Sequence, residues 1–284
     1  MASRSRSRVS RRPARRGRGR PRRVSAARRL ARTVRRGPDA LRALPLVLQV
    51  LVGGVLLLAA WAAVNGAYQV LRKPTELFFP VSGVLAKSPP ETWRTYGSLF
   101  TAHSTAVITP ELLAALAQAE SAGNPVARTY WRWRLTANPL TWYQPASSAV
   151  GMYQITDGSF QQAKRYCIHH HVVVEDGAWD DPHSCWFNSL YTRVLPTHAI
   201  ELTAAWLDRG VARALADSPY AARLQEQQDL AAVIHLCGPG AGAAYAARGF
   251  RLTPGQQCGD HDVRHYLVQV NTLKRQFARL AAAG

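Results

Sequence analysis

Charged residues are absent from Ala43 to Leu71, where most positions are leucine, valine, alanine or glycine. The densest part of this run, residues 44–64, is 21 residues long, and a helix of about 20 apolar residues spans a bilayer. A cleaved signal peptide usually has a shorter basic region and an apolar run of only about 7–15 residues. The length of this uncharged run therefore argues against a cleaved signal peptide and predicts a transmembrane helix over residues 43–71.

Acidic residues are nearly absent from the first 42 positions, which hold 17 arginines and one acid, Asp39. The other 242 residues carry 19 basic and 16 acidic side chains, so most of the net charge of +19 belongs to this tail. With so little apolar content, residues 1–42 are expected to be a disordered, arginine-rich tail. No aromatic residue interrupts it and no folded nucleic-acid motif follows, so we expect no specific nucleic acid partner.

The basic residues around the apolar run predict its orientation. Six arginines lie between positions 28 and 42, whereas only Arg72 and Lys73 follow the run directly. The excess of positive charge before the helix predicts a cytoplasmic N-terminus and places residues 72–284 on the other side of the membrane.

Cysteine is scarce, and all four copies lie in this exported part. An even count in an oxidising compartment indicates two disulfides. The sequence allows three connectivities, of which we expect near-neighbour pairing, Cys167 with Cys185 and Cys237 with Cys258. Free buried thiols are the weaker alternative, because they would suit a cytosolic protein.

Sequence typical of strands is also sparse, with residues 171–175 as the main candidate. A short helix is expected near residues 91–102, within a proline-containing connector assigned to residues 72–107. Helical spacing of apolar residues recurs near 110–121, 156–167, 186–209, 221–236 and 260–281. We therefore expect one mainly α domain over residues 108–284.

One carboxylate stands in an unusual place in the first of these helices. Thr109 suits the N-cap and Pro110 the first helical position. Glu120 follows Leu116 by four residues and so lies on the apolar stripe of the helix. Burial there would raise the pKa of its carboxyl and favour a general acid. The alternative is a solvated last turn.

Four motifs then follow in a defined order. They are Glu120-Ser121, the segment 148–154 (Ser-Ala-Val-Gly-Met-Tyr-Gln), Cys-Gly-Pro-Gly at 237–240 and Val-Arg-His-Tyr at 263–266. In this combination the sequence resembles the catalytic domain of soluble lytic transglycosylases, which belong to the lysozyme-like superfamily. The resemblance covers residues 108–281 and implies a lysozyme-like α+β fold with little strand.

The resemblance also implies a reaction and a set of site residues. Glu120 would be the only acid/base in cleavage of the β-1,4 bond between N-acetylmuramic acid and N-acetylglucosamine in peptidoglycan, with formation of a 1,6-anhydro ring. Gly151 would let backbone approach the sugar, and the Tyr266 hydroxyl would lie near Glu120. The implied substrate-binding residues are Ser121, Gly151, Met152, Tyr153, Gln154, His235 and Tyr266.

The chain departs from the family pattern at three places. Tyr153 separates Met152 from Gln154, and His235-Leu236 stands where tyrosine and asparagine are usual. Residues 128–146 form an insertion rich in aromatic residues and arginine. It could bind sugar rings and wall carboxylates, or it could pack on the domain or face the membrane interface.

Other kinds of site are not supported. The three consecutive histidines at 169–171 lack metal-ligand spacing, and His261 with His265 lacks the glutamate of a zinc-protease motif. We expect no metal and no cofactor. Two alternatives to the transglycosylase remain open: a muramidase, and a non-catalytic wall-binding scaffold. The muramidase would need a second carboxylate, for which the candidates are Asp157, Asp180 and Asp181. Expected partners are peptidoglycan glycan strands, the inner membrane and an envelope-spanning secretion or conjugation assembly.

Overall fold

The computed structural model describes residues 45–78, 83–181 and 183–283. The tail predicted over residues 1–42 lies outside this part of the chain. Helix α1 (Leu46–Arg72) covers the apolar run and is the one helix in the described ranges that is long and apolar enough to cross a membrane. The chain divides into two compact units at Ala62, inside this helix.

The unit that begins at Ala63 is mainly helical, as the sequence predicts. Its described helices after α1 are α2 (Pro89–Ala102), α3 (Pro110–Ser121), α4 (Asp157–Ala163), α5 (Pro196–Ala216), α6 (Leu224–Cys237), α7 (Pro239–Ala247) and α8 (Val263–Ala283). Three antiparallel hairpins join β1 (Trp131–Trp133) to β2 (Tyr143–Pro145), β3 (Tyr166–His169) to β4 (Val172–Glu175), and β5 (Gln257–Cys258) to β6 (His261–Asp262).

Helix α3 lies at the centre of this unit, where it packs against α2 and α8. Its residues 112–117 are all buried, and each fully buried leucine contributes about 1.5–3 kcal/mol of apolar burial. Phe100 of α2 and Phe277 of α8 belong to the same core. The helix that carries Glu120 is therefore held from several sides.

Local signals determine where α3 begins and ends. The Thr109 hydroxyl accepts a hydrogen bond from the backbone N–H of Leu112, and Pro110 occupies the first turn, as predicted. Ala122 and Gly123 have φ angles of 52° and 65°, and this left-handed pair terminates the helix directly after Ser121. Glu120 consequently lies in the last turn, at the edge of the core.

Two predicted helices have other boundaries. The helix predicted over 156–167 ends at Ala163, because the chain continues into the β3–β4 hairpin, which His170 and His171 turn with positive φ angles. The helix predicted over 186–209 begins only at Pro196 and runs to Ala216. Proline fits a first turn but disrupts a helix interior, so residues 186–190 form a separate 3-10 turn.

Both disulfides have the predicted connectivity, Cys167–Cys185 and Cys237–Cys258. The first links the β3–β4 hairpin to the turn before α5. The second links the end of α6 to the β5–β6 hairpin, which precedes α8. Each bridge therefore fixes a hairpin to the helical body.

Candidate active site

A cleft of about 640 Å³ opens over the C-terminal end of α3. Glu120 lies in its wall, beside Tyr266 of α8 and Gln154. The remaining walls come from the residues around β1, from the segment before Gln154 and from the β5–β6 hairpin. They include Arg128, Tyr130, Arg132, Ser147, Ala149, Leu236, Gly259, Asp260 and His261.

Two side chains from distant parts of the sequence hold the Glu120 carboxyl. The Tyr266 hydroxyl donates a hydrogen bond of 2.6 Å to Glu120 Oε1. His235 Nε2 lies 3.5 Å from the same oxygen, and the Glu120 side chain keeps 17% exposure. Within the described ranges, no protein group hydrogen-bonds to Oε2. One carboxyl oxygen is thus fixed by the protein.

The pKa of Glu120 differs in direction from the sequence-based expectation. Burial is the largest single influence and raises the pKa, as expected. The contact with His235, the hydrogen bond from Tyr266 and the nearby His261 act in the opposite direction and together outweigh burial. The pKa of Glu120 therefore lies below its usual value. Burial and the neighbouring carboxyl raise the pKa of Tyr266, which keeps its hydroxyl a donor.

Ser121 connects α3 to the segment that follows the insertion. Its hydroxyl donates to the Met152 carbonyl at 2.8 Å and accepts from the backbone N–H of Asn124. Met152 itself is fully buried. Tyr153 is also fully buried, donates to the Leu113 carbonyl and meets the His235 ring edge to face, with centroids 6.4 Å apart. These three residues support the site from behind and do not line the cleft.

Gly151 makes a close backbone approach within the chain itself. Its φ is 81°, and a Cβ atom there would lie 2.2 Å from the Arg193 carbonyl oxygen. The close approach is made by the chain's own backbone. Gln154, with φ of 47°, lines the cleft while its amide nitrogen donates to the carbonyls of Gly151 and Ala127.

The side chains of the insertion lie in two different environments. Arg128, Tyr130 and Arg132 line the cleft. Trp131 instead donates its ring N–H to Glu76, and Trp133 packs against Tyr143 at 4.9 Å between ring centroids. Within β1, Arg132 and the two tryptophans alternate between the faces of the strand, whereas Arg128, before the strand, reaches both the cleft and Glu76. Both interpretations of the insertion are therefore compatible with the structure, on opposite faces.

Sequence reasoning missed the β5–β6 hairpin as part of the cleft. In the sequence, His261 suggests only a metal ligand, and Gly259 and Asp260 belong to no motif. The available signal was the expected Cys237–Cys258 bridge, since Cys237 begins the third motif. That bridge brings the residues after Cys258 to the cleft.

The carboxylates proposed for a muramidase lie elsewhere. Asp157 pairs with Arg193 at 2.8 Å and is 67% exposed. Asp180 and Asp181 are exposed, and neither lines the cleft. Among the described cleft residues, the second carboxylate is Asp260.

These features define a mainly helical domain with a cleft, in whose wall the carboxyl of Glu120 is held by Tyr266 and His235. Residues 98–215 match the model of the family described as Transglycosylase SLT domain, so the chain carries an SLT domain. The matched range includes Glu120 and the segment 148–154 but ends before His235 and Tyr266. None of the curated proteins matches the chain. The family match supports an activity of the lytic transglycosylase type on peptidoglycan.

Proposed function

We propose that this protein cleaves the bond between N-acetylmuramic acid and N-acetylglucosamine in peptidoglycan and leaves a 1,6-anhydro ring on the muramic acid. The observation that carries the proposal is the Glu120 carboxyl in the cleft wall, held on one oxygen by Tyr266 and His235. A single positioned carboxyl suits a reaction that needs only one acid/base.

In the first step Glu120 would donate its proton to the bridging glycosidic oxygen while the bond from that oxygen to the muramic acid C1 breaks. The departing N-acetylglucosamine would keep the bond's electron pair and the donated proton. Glu120 would then be a carboxylate facing a cationic sugar, as in the oxocarbenium-like transition state of other glycosidases.

In the second step the muramic acid's C6 oxygen would attack C1, and Glu120 would take the C6 hydroxyl proton. One C–O bond breaks, one forms, and the carboxyl regains its proton. The nucleophile is part of the substrate, and such tethered reactions reach effective molarities of about 10⁵–10⁸ M. No water and no second carboxylate are needed.

Substrate binding would prepare Glu120 for the acid role. Sugar rings that fill the cleft exclude water from the remaining exposed part of the carboxyl. The carboxyl of Glu120 would then be more deeply buried, and burial raises its pKa. The protonated form would thus be favoured in the complex, when the proton is required.

A muramidase is the second candidate, since Asp260 lines the same cleft as Glu120. In that reaction Asp260 would activate a water molecule on the opposite face of the sugar, and the product would carry a reducing end. A wall-binding scaffold without turnover is the third outcome to be distinguished.

The deciding experiment uses the full chain in detergent with purified sacculi, followed by mass spectrometry of the soluble fragments. We expect anhydro-muropeptides, each lighter by one water than the hydrolysis product. Reducing-end muropeptides would support the muramidase. Binding to sacculi without soluble fragments, alongside an active reference enzyme, would leave the scaffold.

We further propose that α1 anchors the protein in the inner membrane, with the N-terminus in the cytoplasm and the catalytic domain in the periplasm. The length and apolar character of α1 support the anchor, and the two disulfides suit an oxidising compartment. Tethering would confine wall cleavage to a site near the membrane, as an envelope-spanning secretion or conjugation assembly requires.

The pH dependence provides a test of His235. In a His235→Phe variant the ring shape facing Tyr153 is retained, but the nitrogen beside Glu120 is lost. The remaining burial then raises the pKa of Glu120. Because the protonated fraction of an acid falls as pH rises through its pKa, we expect the alkaline limb of kcat/KM to move to higher pH. Exposed His265 is the control position, where phenylalanine should leave the profile unchanged. An unmoved limb in both variants would show that His235 does not tune Glu120.

The Cys237–Cys258 bridge gives a second prediction, on stability and activity together. Replacing both cysteines by serine removes a link across 21 residues and should lower the free energy of unfolding by about 3 kcal/mol. Activity should also fall, because Gly259 to His261 line the cleft. The same change at Cys167 and Cys185, 18 residues apart, is the control. It should cost similar stability but less activity, and equal activity losses would contradict the prediction.

A further inference from the structure

The residues that directly follow α1 are bound by polar contacts to the insertion and to the segment after it. Lys73 donates to the carbonyls of Ser147 and Ala149. Glu76, which is buried, accepts from Arg128 and from the Trp131 ring N–H, each at 2.9 Å. The helix exit and the base of the β1–β2 hairpin are therefore joined.

A second group of contacts lies further back along α1. The side-chain amides of Asn65 and Gln69 both donate to the Leu140 carbonyl at 2.8 Å, and both side chains are buried. Leu140 belongs to the loop at the far end of the hairpin, beyond the strands. The hairpin base thus meets residues 73–76, whereas its tip meets residues 65–69.

This order of contacts gives the hairpin a direction. From Lys73 back to Asn65 a helix rises by about 12 Å, at 1.5 Å per residue. The hairpin therefore runs alongside residues 65–73, with its tip at the level of Asn65. The apolar residues that would lie in the bilayer immediately precede Asn65. A hairpin tip at the level of Asn65 would therefore lie at the boundary between the hydrocarbon core and the lipid headgroups.

The side chains near the tip suit that level. Leu135 is 85% exposed and Trp133 is 64% exposed, and exposed Arg134 stands between them. Aromatic residues and arginine are characteristic of the membrane–water interface. Between hairpin and helix lies a mainly apolar groove of about 510 Å³. Its lining is Gly66, Val70, Glu76, Arg128, Tyr130, Trp131 and Tyr143.

We propose that residues 133–135 at the tip of the β1–β2 hairpin enter the interfacial layer of the membrane, with phospholipid in the adjoining groove. Arg132, on the opposite face of the same strand, lines the cleft, and Tyr130 lines both the groove and the cleft. Lipid contact would therefore hold one wall of the cleft at a fixed height above the bilayer. This inference rests on the proposed membrane anchor.

The test uses the full chain in phosphatidylcholine–phosphatidylglycerol vesicles whose acyl chains carry bromine close to the headgroups. Bromine quenches the emission of nearby tryptophan. We compare the wild type with Trp133→Phe and with Trp179→Phe, a control at an 81% exposed tryptophan outside the hairpin. We expect that the emission missing from Trp133→Phe is emission that bromine quenches in the wild type. Trp179→Phe should lose only unquenched emission.

Flotation of the vesicles after an alkaline wash tests the membrane anchor separately from the contact of the hairpin tip. A chain that does not float with the vesicles overturns the anchor, and the tip contact with it. A chain that floats, but whose bromine quenching is the same in wild type and Trp133→Phe, overturns the tip contact alone. A Trp133 emission that responds to glycan fragments and not to bromine would assign this face to sugar, against the proposal.

Discussion

A Glu120→Gln variant is expected to release fragments from sacculi about 10²–10⁴-fold more slowly than the wild type, the usual contribution of a general acid–base group. Glutamine has nearly the same size, and its oxygen can still accept from Tyr266. In the proposed mechanism, glutamine could neither give a proton to the glycosidic oxygen nor take one from the sugar. The rate is measured as anhydro-muropeptides released per minute at several enzyme concentrations.

Glu111 provides a matched control for this change, because it lies in the first turn of the same helix, outside the cleft. Glu111→Gln should leave the rate close to that of the wild type. Thermal unfolding should show both variants folded. If Glu120→Gln retained wild-type activity, another group would have to supply the proton, and the proposed mechanism would be wrong.

Gly151→Ala should produce a large loss of stability from a single substitution. Alanine in a left-handed conformation costs about 1–2 kcal/mol, and its Cβ would lie 2.2 Å from the Arg193 carbonyl oxygen. We expect a total loss of about 3 kcal/mol, which lowers Tm by about 6–12 °C in a domain of this size. Activity should fall as well, since movement of this segment displaces Gln154 in the cleft wall.

Gly158→Ala is the control for the glycine substitution. Gly158 lies in α4, and nothing stands within 4 Å of a Cβ added there. Alanine is the better helix former by about 0.5–1 kcal/mol, so Tm should remain or rise slightly. The Tm values of the two glycine variants are measured by calorimetry or circular dichroism of the full chain in one detergent. Equal Tm values for the two variants would contradict the close approach at Gly151.

Local signals explain which parts of the fold the sequence predicts. The N-cap at Thr109 and the apolar spacing after it locate α3, and the valine-rich run at 172–175 forms β4 as expected. The pairing of the cysteines was also predicted. The beginning of α5 at Pro196 differs from the predicted one, because proline suits only a first turn and the residues upstream form a separate 3-10 turn.

The site depends more on contacts between distant residues. Burial of Glu120 is visible in the helical spacing, but the contact with His235, 115 positions later, is not. The direction of its pKa shift was therefore predicted wrongly. The packing of Gly151 against Arg193 and of the hairpin on α1 likewise brings together segments far apart in sequence. The family resemblance implied that the Tyr266 hydroxyl lies near Glu120, and the hydrogen bond is present.

The two contacts on Glu120 Oε1 affect the timing of the proposed reaction. The carboxyl cannot exchange its oxygens by rotating without breaking both contacts at once. The same oxygen, Oε2, would then release the proton and collect the next one. The sugar would have to bring its C6 oxygen to the place that the bridging oxygen has just left. The rate of the second step would therefore depend on the conformational change of the muramic acid ring, while the Glu120 carboxyl keeps its position.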